Sequence, residues 1–192
     1  MLFDTLPLAE RLRPRNLDEY IGQQHLVGEG QVLRKMITGG KLVSMIFWGP
    51  PGVGKTTLAL IIAIATGRQF YTLSAINSGV KDVREVIEKA AKDKSRPILF
   101  IDEIHRFSKS QQDSLLGAVE KGIVILIGAT TENPSFEVIS PLLSRCQVYI
   151  LKYLEEEDLL IILNKAIETL SGIYNVKVNI TEHEALLRIS GG

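Results

Sequence analysis

The chain has 192 residues, 45% apolar and 23% charged, with a formal net charge of +0. This suits one full domain and part of a second around an ordinary buried core, and the neutral balance excludes bulk charge as the means of holding nucleic acid, which a local basic patch would have to do. A single cysteine, Cys146, excludes an intrachain disulfide and fits a reducing compartment, with Cys146 read as a small core residue.

The opening stretch, "MLFDTLPLAERLRPR", mixes acids with bases and lacks the apolar run of a secretory leader. The most apolar helix-like run, "LALIIAIA" at 58–65, is far too short to span a bilayer. The expectation is therefore a cytoplasmic protein with no membrane partner.

Along the chain, "LVSMIFWG" (42–49) is apolar on both faces, as a buried parallel strand requires. "QFYTLSA" (69–75) is a weaker run of the same kind; "PILFIDE" (97–103) and "IVILIGATT" (123–131) are stronger. Helical spacing fills the gaps. Val83, Val86, Ile87 and Ala90 share one face over 82–91, and Ser108 with Gln111 makes a capping box before Leu115, Leu116 and Val119. "SPLLSRC" (140–146) reads as a short helix, with Ser140 as N-cap and Pro141 at the first helical position. Beyond about 152 the strands stop. "LEEEDLLIILNKAIETL" (154–170) opens with acids suited to a helix N-terminus, and Thr181 with Glu184 patterns a second capping box. The expected fold is α/β: a parallel sheet covered by helices over 1–152, then the start of an all-helical subdomain over 153–192.

"GPPGVGKT" (49–56) fits G-x-x-x-x-G-K-[ST] at every fixed position, after a strand and before a helix. In Gly49-Pro50-Pro51-Gly52-Val53-Gly54 the glycines let backbone N–H groups turn inward to phosphate oxygens, and the following helix N-terminus adds favourable partial charge. Lys55 reaches the β- and γ-phosphates; Thr56, next to Thr57, offers its hydroxyl to Mg²⁺. Asp102, 47 residues after Lys55, ends a buried strand where an acid can hold that Mg²⁺, and Glu103 would point elsewhere and polarise an attacking water. Asp102-Glu103-Ile104-His105 also spells D-E-x-H, the signature of one helicase class. Those helicases space their nucleotide motifs more widely and carry a second motor domain, so His105 is read as a loop residue near the site. Thr131, in "GATTENP" (128–134), sits where a hydroxyl can bond a γ-phosphate or water. Arg145 is either an exposed arginine serving a neighbour's γ-phosphate or one favoured at a helix end by the dipole alone.

These motifs in this order resemble AAA+ ATPases of the clamp-loader clade. "SMIFWGPPGVGKTTLA", "SGVKDVREVIEKA", "DEIHRFSKSQQDSLLGAVE" and "IGATTENPSFEVISPLLSR" resemble more narrowly the replication-associated recombination proteins, bacterial relatives of the Werner-helicase-interacting protein. "HRFSKSQQD" and "TTENPSFE" separate this group from clamp-loader subunits and Holliday-junction branch-migration motors, which remain alternatives, as does a non-hydrolysing nucleotide-switch scaffold. The resemblance implies a P-loop AAA+ base subdomain followed by the beginning of a helical lid, with ATP and Mg²⁺ as cofactors. It implies that Arg13-Pro14 and Tyr20-Ile21 (continuing Gly22-Gln23) flank the adenine base, that Thr131 is the sensor, and that Arg145 is the finger acting on an adjacent subunit. It further implies a homo-oligomeric, DNA-stimulated ATPase at single-strand gaps, ends or forks, associated with the nucleoid and with single-strand-binding protein. The clade's second sensing arginine lies in a lid segment that would begin near "ISGG" (189–192), so the lid is expected to be incomplete here. Lys81, Arg84, Arg106 and Lys109 are candidate DNA-phosphate contacts, Trp48 a packing residue, and His25 and His183 show no partner pattern. No His/Cys cluster suggests zinc.

Overall fold

The computed structural model describes residues 6–75, 78–93, 95–183 and 185–186. Five parallel strands form one sheet: β1 (Met45–Trp48), β2 (Phe70–Ser74), β3 (Ile98–Asp102), β4 (Ile125–Thr130) and β5 (Gln147–Ile150), in the order β2-β3-β4-β1-β5. The four expected strands are present. The fifth was not expected. Val148 and Ile150 are 41% and 51% exposed and β5 pairs only with β1, so its identity comes from its neighbour rather than from an apolar run.

Strand alternation divides the core in two. Met45, Phe47, Ile98, Phe100, Ile125 and Ile127 face α4 (Lys55–Thr66), whose Leu58, Ile61 and Ile62 are wholly buried. Ile46, Leu99, Ile101 and Leu126 face α5 (Val80–Ala90) and α6 (Lys109–Glu120) through Val83, Leu115 and Val119. Each such side chain contributes about 1.5–3 kcal/mol on burial. The helix that starts at the Gly-rich loop is therefore anchored by its apolar body, not by a good cap.

The N-terminal segment carries α1 (Leu8–Arg11), α2 (Gln24–Val27) and α3 (Val32–Thr38). The Ser108–Gln111 capping box forms as expected. Two short helices, α7 (Pro134–Glu137) and α8 (Ser140–Leu143), precede β5, and α9 (Glu156–Tyr174) follows it. Ser140 is not the N-cap of α8: Ile139 occupies that position and Ser140 is already helical, its carbonyl accepting the Ser144 N–H at 3.0 Å. Proline tolerates either of the first two helical positions, so its presence leaves the start uncertain by one residue. His25 does find a partner, the Ile150 carbonyl on β5, 2.9 Å from Nε2. Glu184 and residues 189–192 lie outside the described residues, and with them the second capping box and "ISGG". Among the described residues no helix is long and apolar enough to cross a membrane.

Candidate nucleotide site

The loop between β1 and α4 delivers Lys55 as the first residue of the helix. Gly54 caps α4 in the left-handed region at φ +93, and a Cβ there would lie 2.7 Å from the Tyr20 hydroxyl, so backbone sign and space both demand glycine. Tyr20 is buried and donates to the Gly54 and Val53 carbonyls at 3.2 and 3.3 Å. Burial raises its phenol well above the ordinary value. The N-terminal segment is thus fastened directly onto the phosphate loop.

Lys55 is buried, and Nζ donates to the Gly49 and Pro50 carbonyls at 2.7 and 2.6 Å. Burial lowers its pKa, while the charges of Glu103 and Asp102 oppose that shift. The amine therefore lies within the field of both strand-end acids. Asp102 is the last residue of β3 and pairs in register with Ser74. Glu103 follows with φ +52, a left-handed backbone rare outside glycine. This turn breaks the strand's alternation and sends the second carboxylate its own way. Glu103 Oε2 accepts from Thr131 Oγ1 at 3.4 Å and lies 3.1 Å from His105 Nδ1.

A cavity of about 710 Å³ opens beside the loop. Arg13, Pro14, Tyr20 and Ile21 line it together with Gly52, Val53, Gly54 and Thr57. The opposite wall comes from Leu154 and from α9, through Ile162, Lys165, Glu168 and Thr169. This volume falls within the usual range for a small-molecule site. The residues suit a nucleotide and its cation: the cavity has the volume for a small molecule, the loop leads into a helix N-terminus with a buried amine, and Thr56 and Asp102 carry hard oxygens of the kind Mg²⁺ takes. Among the described residues no group of three or more His, Cys, Asp or Glu side chains could hold a metal by itself.

Arg145 stands apart from this group. It is exposed, with Nη2 paired to Glu120 Oε1 at 2.5 Å and Nη1 donating to the Pro141 carbonyl at 2.6 Å. Several positioning residues lie in segments the sequence marked, but their bracing role was not legible there. Buried Gln23 donates from Nε2 to the Lys152 carbonyl at 2.7 Å and accepts the Lys152 N–H at 2.9 Å, fastening the N-terminal segment to the chain between β5 and α9. At Gly22, φ +78, a Cβ would meet Leu154 at 2.5 Å. Buried Gln112 donates to the Phe107 and Glu137 carbonyls, both at 3.0 Å, and accepts the Ile139 N–H at 2.9 Å, fixing the segment that leads to Arg145. In the residues themselves the wall from α9 was legible only as an amphipathic stripe; the family resemblance placed it at the start of the lid.

Residues 45–154 match the model of the ATPase family associated with various cellular activities (AAA). The chain is 56% identical to the replication-associated recombination protein A of Coxiella burnetii over 85% of its own length and 38% of that relative. It is 49% identical to the ATPase WRNIP1 of Dictyostelium discoideum, over 84% of this chain and 19% of that protein. Among solved structures, the Thermotoga maritima RuvB Holliday junction branch migration motor superposes with a TM-score of 0.70 at 33% identity, covering 83% of this chain and 55% of that one. The chain thus spans less than two-fifths of the length of these curated relatives.

Proposed function

The chain belongs to the AAA family of ATPases, and from that membership we propose that it is the ATPase core of a DNA-stimulated protein of replication-fork maintenance, recombination and repair. The observation that carries the hydrolytic part is the buried Lys55, delivered by a loop whose Gly52, Val53 and Gly54 line the cavity, with its amine in the field of Asp102 and Glu103 at the end of β3. ATP supplies the phosphoanhydride bond, and Mg²⁺ the charge that neutralises its phosphates. Arg13, Pro14, Tyr20 and Ile21 enclose the base. Gly49, Pro50, Pro51, Gly52, Val53 and Gly54 cradle the phosphates with Thr57 behind them, Lys55 binds the terminal phosphates, and Thr56 and Asp102 hold the cation. Glu103 accepts a proton from the attacking water, and Thr131 orients it. Arg145 serves the site of an adjacent copy, which agrees with its exposure and its pairing with Glu120 rather than with either strand-end acid. Residues 1–152 form the base, and 153–192 begin the lid that closes over the base pocket.

Likeness to a protein named for replication and recombination supports DNA as the effector; single-strand gaps, ends or forks as its form, and single-strand-binding protein as a partner, rest on the motif resemblance. Lys81, Arg84, Arg106 and Lys109 are all exposed, and the first two share α5. With no net charge to help, binding rests on such local phosphate contacts and weakens with salt.

The deciding experiment is Glu103→Gln with binding and turnover measured separately. Nucleotide should bind as in the parent while hydrolysis falls by about 10²-fold or more. Unchanged hydrolysis would remove Glu103 from the reaction.

A further inference from the structure

His105 follows Glu103 in a single 3-10 turn, Ile104–Arg106, closed by the Arg106 N–H donating to the Glu103 carbonyl at 2.9 Å. Its ring is 14% exposed, and Nδ1 has two neighbours, Glu103 Oε2 at 3.1 Å and Thr130 Oγ1 at 3.0 Å. The protons can be assigned by inventory. Thr130 is fully buried at the end of β4; its hydroxyl has the Glu132 carbonyl as an acceptor at 3.1 Å, and its oxygen accepts the Glu132 N–H at 3.0 Å. An ionised Glu103 has only lone pairs to offer. An unprotonated Nδ1 would set its lone pair against the Glu103 carboxylate at 3.1 Å, whereas a protonated Nδ1 donates to it and leaves the Thr130 hydroxyl proton for the Glu132 carbonyl, so the geometry favours hydrogen on Nδ1.

We propose that His105 is a positioning residue for Glu103, sharing its Nδ1 proton between the Glu103 carboxylate and Thr130 and so tying the acid after β3 to the end of β4. This rests on the hydrolytic role proposed for Glu103. Oε2 is engaged by His105 and by Thr131, whereas Oε1 has no protein donor among the described residues and is the oxygen free to take a water. Rotation about the Glu103 side chain is restrained from the β4 side. The end of β4, next to the proposed sensor Thr131, and the carboxylate that takes the proton of the attacking water are held in one hydrogen-bonded unit. Misplacing a reacting group by about 1 Å costs on the order of 10²-fold in rate.

Long-range proton–nitrogen spectra of the imidazoles test the contact directly, because the chain has only three histidines. His105 should show a protonated Nδ1, with His105→Asn assigning the signal. In parallel, His105→Asn keeps a donor at the δ position and should retain most of the turnover. His105→Gln moves the donor one bond outward and should lower kcat by about 10- to 100-fold with KM and nucleotide affinity unchanged. An unprotonated Nδ1, or a His105→Gln protein hydrolysing ATP at or above the parent rate, overturns the proposal. Unchanged turnover in Glu103→Gln would instead overturn the hydrolytic reading, and the Nδ1 signal would still decide whether the contact exists.

Discussion

Glu103 is shaped by its backbone and Cys146 by burial. At Glu103 a left-handed backbone turns the chain immediately after Asp102. Such strain at a catalytic turn costs about 1–3 kcal/mol and persists only where the surroundings hold it. Cys146 has no such task. It is half-buried against the core beneath α6, and burial pushes its thiol up to about 12. The folded protein should therefore alkylate far more slowly at pH 8 than the same chain in denaturant, a comparison that iodoacetamide trapping makes directly. The sign of the linkage follows. The fold holds the thiol proton between the ordinary value of 9.0 and about 12 while the unfolded chain releases it. This contribution to stability is complete below about pH 9 and is lost as pH rises through that window. These roles were partly legible: an Asp-Glu pair after an apolar run announces itself by type. The left-handed turn at Glu103 does not, because nothing distinguishes its residue type from that of a glutamate in an ordinary strand.

The segments that position the site depend on buried amides. Gln112 ties α6 to the stretch between α7 and α8 with three hydrogen bonds. Gln112→Leu keeps the volume but leaves the Phe107 and Glu137 carbonyls and the Ile139 N–H unpaired. A loss of about 2–3 kcal/mol in denaturant midpoint measurements is expected, at the scale of buried unsatisfied groups. Gln23 makes the equivalent bond between the N-terminal segment and Lys152. Neither residue was visible as structural in the sequence. A glutamine reads as solvated surface until its partners, 129 positions away for Gln23, are brought alongside. Strands behaved the other way. β1, β3 and β4 were legible as apolar runs because both of their faces are covered, whereas β5 was hidden because it lies at an edge with three of its four residues exposed. The start of α8 moved by one residue for a smaller reason, the tolerance of proline at either of two positions.

The molecule as a whole places Arg145 on a different surface from the acids, held to Glu120 by a pair exposed on both sides. Exposed pairs are worth about 0–1 kcal/mol, so the arginine is easily released to another partner. If it completes a neighbouring site, Arg145→Ala should bind nucleotide normally and hydrolyse about 10³-fold more slowly. Mixing that variant with Lys55→Ala should restore turnover that neither shows alone, since each supplies what the other lacks. Turnover per subunit that stays flat on mixing, and flat across protein concentration, would place the arginine outside the reaction.

Local chemistry in the sequence determined the phosphate loop, the strand-end acids, the α/β alternation and the family. Those features are written in residue type at fixed short spacing, and backbone geometry converts such spacing into position. Only the tertiary structure decided that Tyr20 packs on Gly54, that α9 forms the far wall of the cavity, that Gln23 and Gln112 act as internal braces, and that His105 bridges Glu103 to Thr130. Each of these is a contact between segments far apart in the chain, and hydrogen bonds of that kind are selected by packing, which no periodicity or local propensity encodes.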